Sequence, residues 1–292
     1  MNVFIVNLAI ADLSVGFLFV LTDAIWKLTI EWHAGNVICK VVKFGQVSVL
    51  YGSTYALVAL SIDRLYAIAR PLSISGQTKR SKILVSSCWL LSFMFSVPMF
   101  FVYEDTVVDG KNQCWVSLPD WAWPIYMTIV AVTILFIPLI IITACYIVIV
   151  VVIWRKTSLK IPDTATENTK FVSNGIGSNR KHNCSQNNSA ISSRGLIPKA
   201  KIKTIKMTFV IVLAFIVCWS PYFIFDLLWV FQLVPRTTDS AAISTFVQSL
   251  APLNSAANPV IYMIFNTKLC KKFFRRARFS NSALTNSYVT HV

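Results

Sequence analysis

Charged residues are scarce in this sequence. They make up 13% of its 292 residues, and 55% of the residues are hydrophobic, whereas a soluble domain carries about 25% charged residues. This balance excludes an ordinary soluble domain and indicates a protein that spans a membrane. Crossing a bilayer takes roughly 20 apolar residues. Six stretches are long enough: residues 3–25, 40–62, 83–103, 121–154, 207–231 and 240–265.

Residues that carry enzyme chemistry are also few. Three histidines occur, all outside the apolar stretches, and the cysteines do not have the spacing of metal ligands. The sequence shows no Ser/His/Asp set and no phosphate-binding glycine loop, so we predict that the protein is not an enzyme and holds no structural metal. Internal repeats, which many transporters have, are absent as well. A small-solute transporter is the alternative from a different functional class.

Basic residues are distributed by side of the membrane. The net charge is +15, and all but five of the 27 Lys and Arg residues fall in residues 64–82, 155–206 and 268–278. Because positive charge marks the cytoplasmic side, we place these segments, and both ends of the six-span chain, inside the cell. A basic face beside a membrane attracts anionic lipid, so we predict membrane lipids rather than nucleic acid as its partner.

Two of the seven cysteines, Cys39 and Cys114, fall on the outer side, where disulfides persist. Their pairing would tie the outer loop at 104–120 to the second span. Cys39 lies just before that span and Arg64 just after it, roughly 37 Å apart along a helix that rises 1.5 Å per residue. We therefore predict that this helix is the centre of a bundle, with a binding site near its outer end and a switch at its inner end.

Further features delimit the bundle, which we assign to residues 1–267. Residues 155–200 are rich in Ser, Asn and Gly, which predicts a disordered cytoplasmic loop. Residues 268–279 alternate basic and apolar side chains at helical spacing, which predicts an amphipathic helix on the inner leaflet, and 280–292 form a polar tail that we expect to be disordered. In the fourth span, Pro138 lacks the N–H for a helical hydrogen bond, so a kink or local bulge is expected there.

A series of motifs runs through the spans. Its members are Asp12 in mid-membrane, Cys39, the pair Asp63-Arg64, Trp89, Pro138, CWSP at 218–221 and NPVIY at 258–262. This order resembles the rhodopsin-like G-protein-coupled receptors over essentially the whole chain. The resemblance implies an all-α, polytopic transmembrane bundle of seven helices, of which six are present here and the first is missing. It leaves open a fragment or a truncated, non-signalling form of such a receptor.

A narrower resemblance concerns the ligand. Lys43, Gln46, QCW at 113–115 and QSLAPLNSAANPVIY at 248–262 are similar to the vasopressin/oxytocin-related peptide receptors. Within that group, SSRGLIPKAKIKTIKM and CWSPYFIFDLLWVF are most similar to the receptors for crustacean cardioactive peptide, with the neuropeptide S receptors as near relatives. The resemblance implies a multi-pass plasma-membrane receptor for a short, cyclic, amidated neuropeptide, with a heterotrimeric G protein and arrestin as inner partners. A retinal receptor would need Lys in the last span, and an amine receptor would need a carboxylate in place of Gln46.

The resemblance also implies roles for individual residues. The ligand-binding residues would be Asp23, Lys43, Gln46, Trp115, Tyr222, Asp226 and Gln248. The activation switch would comprise Asp63, Arg64, Tyr146, Phe215, Trp219, Pro221, Asn258, Pro259 and Tyr262. An allosteric sodium ion, the one cofactor implied, would be held by Asp12, Ser53, Asn254 and Asn258. The chain departs from the family pattern at Leu65, where an aromatic residue is usual, and at Lys201, so that no acid stands there to pair with Arg64 across helices.

Overall fold

The computed structural model describes residues 2–69, 77–108, 110–158, 199–235 and 237–265. The first span comprises α1 (Asn2–Ser14), a π-helical segment (Val15–Leu21) and α2 (Thr22–Thr29), and the second is α3 (Gly35–Ala69). The third comprises α4 (Gln77–Ser96) and α5 (Met99–Val102), and the fourth α6 (Ala122–Ala131), a π-helical segment (Val132–Phe136) and α7 (Ile137–Ser158). Helices α8 (Lys199–Val230) and α9 (Thr238–Phe265) complete the bundle.

Five helices in the described part of the chain are long and apolar enough to cross a membrane: Val3–Thr29, Gly35–Ala69, Thr78–Val102, Ala122–Arg155 and Ile205–Val230. They coincide with the first five predicted spans to within a few residues at most ends. Helix α9 coincides with the sixth but is more polar, since it buries Ser244, Asn254 and Asn258 inside the bundle. Its mean hydropathy is lowered by side chains that face protein, not lipid.

Three predicted segments fall wholly or mainly outside the described residues. These are the amphipathic helix at 268–279, the tail at 280–292 and all but the edges of the loop at 155–200. Both edges of that loop are helical, because α7 continues to Ser158 and α8 begins at Lys199. The predicted loop was therefore too long at each end, because the end of a helix is difficult to place to within a few residues.

Helix α3 lies at the centre of the bundle, as predicted. In its most apolar 18-residue window 78% of the residues are buried, against 22–33% in the other four spans. Helices α1, α4 and α7 all pack on it, and Leu57 and Leu60 join Phe215 of α8 in the core. The outer helices have large exposed apolar faces, as expected for helices that contact lipid on one side.

One close approach fixes α4 against α3. A Cβ atom on Gly52 would come within 3.1 Å of the indole of Trp89, so glycine allows the ring to lie directly on the α3 backbone. The same indole N–H donates to Asn7 Oδ1 at 2.9 Å. Trp89 therefore joins α1, α3 and α4 at mid-membrane depth.

The outer loop contains a β-hairpin that the sequence analysis did not predict. Strand β1 (Tyr103–Val108) pairs antiparallel with β2 (Lys111–Val116). An Asp-Gly pair at 109–110 separates the strands, and Gly110 has φ of 76°, the combination that favours a tight hairpin turn. The predicted disulfide is confirmed: Cys114 of β2 is bonded to Cys39, with 5.5 Å between their Cα atoms.

A π-helical segment occurs where a bulge was expected. Val132–Phe136 lies immediately before α7, whose second residue is Pro138, so the prediction made from this proline is confirmed. The absent proline N–H leaves a carbonyl one turn earlier without its helical partner, and a wider turn accommodates it. The other π-helical segment, Val15–Leu21, contains no proline and had no signal of this kind.

Candidate functional site

At the outer end of the bundle, Lys43 lies between two aromatic rings. Its Nζ is 4.5 Å from the ring centroid of Trp26 and 5.4 Å from that of Tyr103, so α2, α3 and β1 meet around one cation. Burial raises the pKa of Tyr103 to about 12. We call Lys43, Trp26 and Tyr103 the outer cage.

The hairpin is attached to the outer cage by hydrogen bonds. The indole N–H of Trp26 donates to Gln113 Oε1 at 3.0 Å, and Gln113 Nε2 donates to the carbonyl of Ile30 at 2.7 Å. The backbone N–H of Trp32 also donates to the carbonyl of Asn112 at 2.8 Å. With the disulfide, these bonds hold the hairpin across the outer ends of α2 and α3.

Gln46 lies one turn deeper on α3 than Lys43. It is only 4% exposed, and its Nε2 donates to Thr22 Oγ1 at 2.7 Å. The amide is therefore held in a fixed orientation below the outer cage. Thr22 is a partner that sequence reasoning missed, since nothing in its own neighbourhood distinguishes it from other helix threonines.

Asp226 and Tyr222 form a second polar group on α8. They lie one turn apart and share a side-chain hydrogen bond, and Asp226 is 5% exposed without an ion pair to any described residue. Tyr222 lies within electrostatic range of Tyr103. The predicted ligand residues of α3 and α8 therefore border one region beneath the hairpin.

The other three predicted ligand residues have local partners. Asp23 forms an ion pair with Lys27 at 2.9 Å, one turn along α2. Trp115 is 48% exposed and stands opposite Glu104 in the hairpin. Gln248 donates to Ser244 Oγ at 3.2 Å within α9. Asp23 also lies within electrostatic range of Lys43 in the outer cage, whereas the contacts of Trp115 and Gln248 bring neither of them into it.

A buried polar cluster surrounds Asp12 at mid-membrane. Its Oδ1 accepts from Ser53 Oγ at 2.7 Å and its Oδ2 from Asn258 Nδ2 at 2.8 Å. Ser53 Oγ is also 3.4 Å from Ser255 Oγ. Ser255 was missed, although it lies three residues before Asn258 and so shares its helix face.

Two amide oxygens on this face of α9, one in the cluster and one a helical turn before it, have no hydrogen-bond donor among the described residues. They are Asn254 Oδ1 and Asn258 Oδ1, and both are buried. The Asp12 carboxylate, the Ser53 hydroxyl and these two amide oxygens are all oxygen donors, the ligand type that hard cations prefer. The residues present therefore fit the sodium ion that the sequence analysis implied.

At the inner end, the buried carboxylate of Asp63 contacts two guanidinium groups. Its Oδ2 pairs with Arg64, and its Oδ1 lies 3.4 Å from Nη2 of Arg80 in α4. The Arg80 guanidinium also lies 4.7 Å from the ring centroid of Tyr66. The predicted pair is present, but its second cation was missed, since every basic residue of 77–82 fits the inner-side charge pattern equally well.

Helix α8 carries an aromatic cluster midway between the two ends. Trp219 is buried, with ring centroids 5.6 Å from Phe223 and 6.3 Å from Phe215. Pro221 lies within the same helix. At the inner end, Tyr146 and Tyr262 lie within electrostatic range of Arg64, and the Tyr262 hydroxyl has no hydrogen-bond partner among the described residues.

Comparison with known proteins decides the family. The profile described as 7 transmembrane receptor (rhodopsin family) matches residues 1–262. The chain belongs to this family. As a rhodopsin-family receptor it is a multi-pass plasma-membrane protein and not an enzyme, and the predicted fold class is confirmed.

Individual relatives of the receptor cover most of its chain. The neuropeptide S receptor of Mus musculus is 44% identical to it over 272 residues, which is 92% of this chain and 69% of that receptor. The Homo sapiens neuropeptide S receptor is 42% identical over 272 residues, again 92% of this chain and 69% of that receptor. The oxytocin receptor of Ovis aries is 34% identical over 278 residues, 94% of this chain and 69% of that receptor. The resemblance to the vasopressin/oxytocin-related group is thereby confirmed.

In the receptor, the features divide along α3. The outer cage and Gln46 lie at its outer end, the Asp12 cluster contacts its middle through Ser53, and the Asp63–Arg64 pair lies at its inner end. Since α3 packs against α1, α4 and α7, a shift at one end meets packed neighbours along its length. This geometry suits transmission between the two faces of the membrane.

Proposed function

We propose that the receptor binds a short, disulfide-cyclised, C-terminally amidated neuropeptide of the cardioactive-peptide type at its outer face. Binding is transmitted to a heterotrimeric G protein at the inner face. The observation that carries the proposal is the pairing of a caged cation, Lys43, with a buried amide, Gln46, beneath a hairpin, in a chain whose relatives include receptors named for neuropeptide S and oxytocin.

The outer site suits the chemistry of such a peptide. A cyclic peptide loses less conformational entropy on binding than a linear one. The Lys43 ammonium, held over two rings, donates to peptide carbonyls, while the Gln46 amide is complementary to a neutral C-terminal amide. Asp226, which has no described cation partner, accepts from a donor or cationic group of the ligand. Asp23, beside Lys43, is a second acceptor for a cationic group, and Trp115 and Gln248 make contacts if the peptide extends further.

Transmission requires that the peptide bind one conformation better than the other, since equal affinity shifts nothing. Contraction of the outer site acts on Tyr222, whose ring contacts Trp219 edge-on at 6.2 Å between centroids. Trp219 and Phe215, beside Pro221, convert that contraction into an outward swing of the inner half of α8. Pro259 is a corresponding point in α9 at which that helix can bend.

The inner end responds by exchanging partners. In the resting state Asp63 holds Arg64. After the swing, Arg64 turns towards Tyr146 and Tyr262, and the crevice that opens receives a helix of the G-protein α-subunit. Arrestin uses the same crevice, and the basic residues around it contact anionic lipid headgroups.

Sodium favours the resting state in this scheme. When bound, the ion supplies positive charge to the Asp12 carboxylate. Asp12, Ser53, Asn254 and Asn258 would hold it, and the amide oxygens of the two asparagines, which have no donor among the described residues, support this assignment. Ser53 belongs to α3 and Asn258 to α9, so the cluster resists their relative movement.

The test is a dose response of receptor-expressing cells to a synthetic cyclic, amidated peptide, with calcium or cAMP as the readout. Linear and free-acid analogues serve as comparisons. We expect the cyclic amide to be the most potent. Absence of any response at micromolar peptide, with surface expression confirmed, contradicts the ligand assignment.

Substitution of Gln46 by Ala locates the site. We expect it to weaken the peptide response about tenfold or more, because the proposed hydrogen bonds between the Gln46 amide and the peptide are lost and a buried partner left unpaired costs about 1–3 kcal/mol, and to leave surface expression unchanged. An unaltered dose curve removes Gln46 from the ligand site.

A further inference from the structure

One carboxylate at the inner end serves two cations. Asp63 is 1% exposed; its Oδ2 contacts Arg64 and its Oδ1 lies 3.4 Å from Arg80 Nη2. The remaining acids among the described residues lie at mid-membrane or on the outer side. Within the described part of the inner end, a single negative charge therefore compensates two guanidinium groups, and these repel one another.

Arg80 is held in this position independently of Arg64. Its guanidinium lies 4.7 Å from the ring centroid of Tyr66, a cation–π distance. It belongs to α4, which also docks on α3 where Trp89 lies against Gly52. A displacement of Arg64 would leave the contact between Arg80 and Asp63 in place.

We propose that Arg80 is a positioning residue of the switch, which keeps the Asp63 carboxylate compensated when Arg64 leaves it. The proposal rests on the proposed signalling function. A buried carboxylate that loses its only cation is strongly destabilising, so a second cation makes the released state accessible. In the resting state the same charge weakens the hold of Asp63 on Arg64. Both effects of Arg80 favour the signalling state.

A purely structural role for Arg80 predicts something different. If Arg80 only ties α4 to α3, its removal lowers stability and surface expression but does not shift the equilibrium between the two states in a fixed direction. A positioning role predicts a shift towards rest, and predicts that the shift disappears once Asp63 is neutral.

The test uses a fluorescent label on a cysteine replacing Lys206, which is exposed at the inner end of α8, in a receptor whose other accessible cysteines are serine. The label reports the outward position of α8 without peptide or G protein. Arg80→Gln is compared with Arg80→Lys, which keeps the charge, and with Lys82→Gln, an exposed charge on the same helix. Basal nucleotide exchange on purified G protein is measured in parallel.

We expect Arg80→Gln to lower the outward population and basal exchange about two- to fivefold, the range for a partly exposed ion pair of up to ~1 kcal/mol. Arg80→Lys and Lys82→Gln should stay near wild type. Asp63→Asn should raise both signals, and adding Arg80→Gln to it should change neither. If Arg80→Gln folds poorly, Tyr66→Leu, which removes the ring beside Arg80, should give a smaller shift in the same direction.

Three outcomes overturn the proposal. One is an unchanged or raised outward population in Arg80→Gln, the second is an equal loss in the Asp63→Asn background, and the third is a loss in Lys82→Gln as large as in Arg80→Gln. If Asp63→Asn moves the label and Arg80→Gln does not, the role of Arg80 fails while the receptor function stands. If the variants behave as stated but the peptide is inactive, the ligand assignment fails and the role of Arg80 stands.

Discussion

Replacing Asp12 by Ala should destabilise the receptor and abolish its response to sodium. The substitution removes the acceptor of two buried donors, Ser53 Oγ at 2.7 Å and Asn258 Nδ2 at 2.8 Å. A hydrogen bond to a charged group contributes about 1.5–3 kcal/mol in soluble proteins, but side-chain bonds between membrane helices average only about 0.6 and reach about 1.7. Two such bonds give an expected loss of about 1–3 kcal/mol.

Thermal unfolding of purified receptor measures this loss. We expect the Tm of Asp12→Ala to fall by roughly 2–8 °C and that of Ser53→Ala, which loses one bond, to fall by less. Sodium chloride, compared with choline chloride, should raise the Tm of the wild type and not that of Asp12→Asn. Asp120→Ala, which removes an exposed outer acid, is the control. A Tm of Asp12→Ala equal to that of the control, or a sodium effect that persists in Asp12→Asn, refutes the reasoning.

Three further predictions concern other parts of the bundle. Lys43→Gln should weaken binding of radiolabelled peptide about tenfold or more, whereas Lys111→Gln on the exposed hairpin should not; equal effects would mean that only net charge matters. Cys39→Ser should lower the Tm and peptide affinity, since loss of a native disulfide costs about 2–5 kcal/mol in small domains; unchanged values would show that the hairpin is held without it. Gly52→Val places a side chain against the α4 indole, where a Cβ already meets a 3.1 Å contact, and should cost about 1–3 kcal/mol relative to Gly45→Val, which has open space; equal unfolding temperatures would contradict this packing.

The sequence predicted the features that depend on composition and sidedness. Apolar length located five spans, and the outer position of two cysteines identified the disulfide. The hairpin also has a local signal, because Asp-Gly at 109–110 lies between two β-prone stretches, although the acidic and polar composition of the segment favoured a loop. Helix α9 shows the limit of hydropathy, since its buried Asn258 and Ser255 serve the bundle interior.

Contacts between helices could not be derived in the same way. Arg80 lies 17 residues from Asp63, and only the packing of α4 on α3 brings it to the carboxylate. Similarly, the Lys43 cage needs Trp26 and Tyr103 from two other elements. The periodicity of a single sequence gives the buried face of each helix but not its rotation against a neighbour. The partners that neighbouring elements contribute to each cluster could therefore not be predicted.

The most direct measurement follows the distance between the inner ends of α4 and α8. Lys82 and Lys206, both exposed, are replaced by cysteines that carry spin labels. Pulsed electron paramagnetic resonance then measures the distance between the labels with and without cyclic amidated peptide. Binding outside should shift the distribution to longer distances, and Lys43→Gln should require more peptide for the same shift. A distribution that stays unchanged while bound peptide is demonstrated on the same sample would contradict transmission from the outer site to the inner crevice.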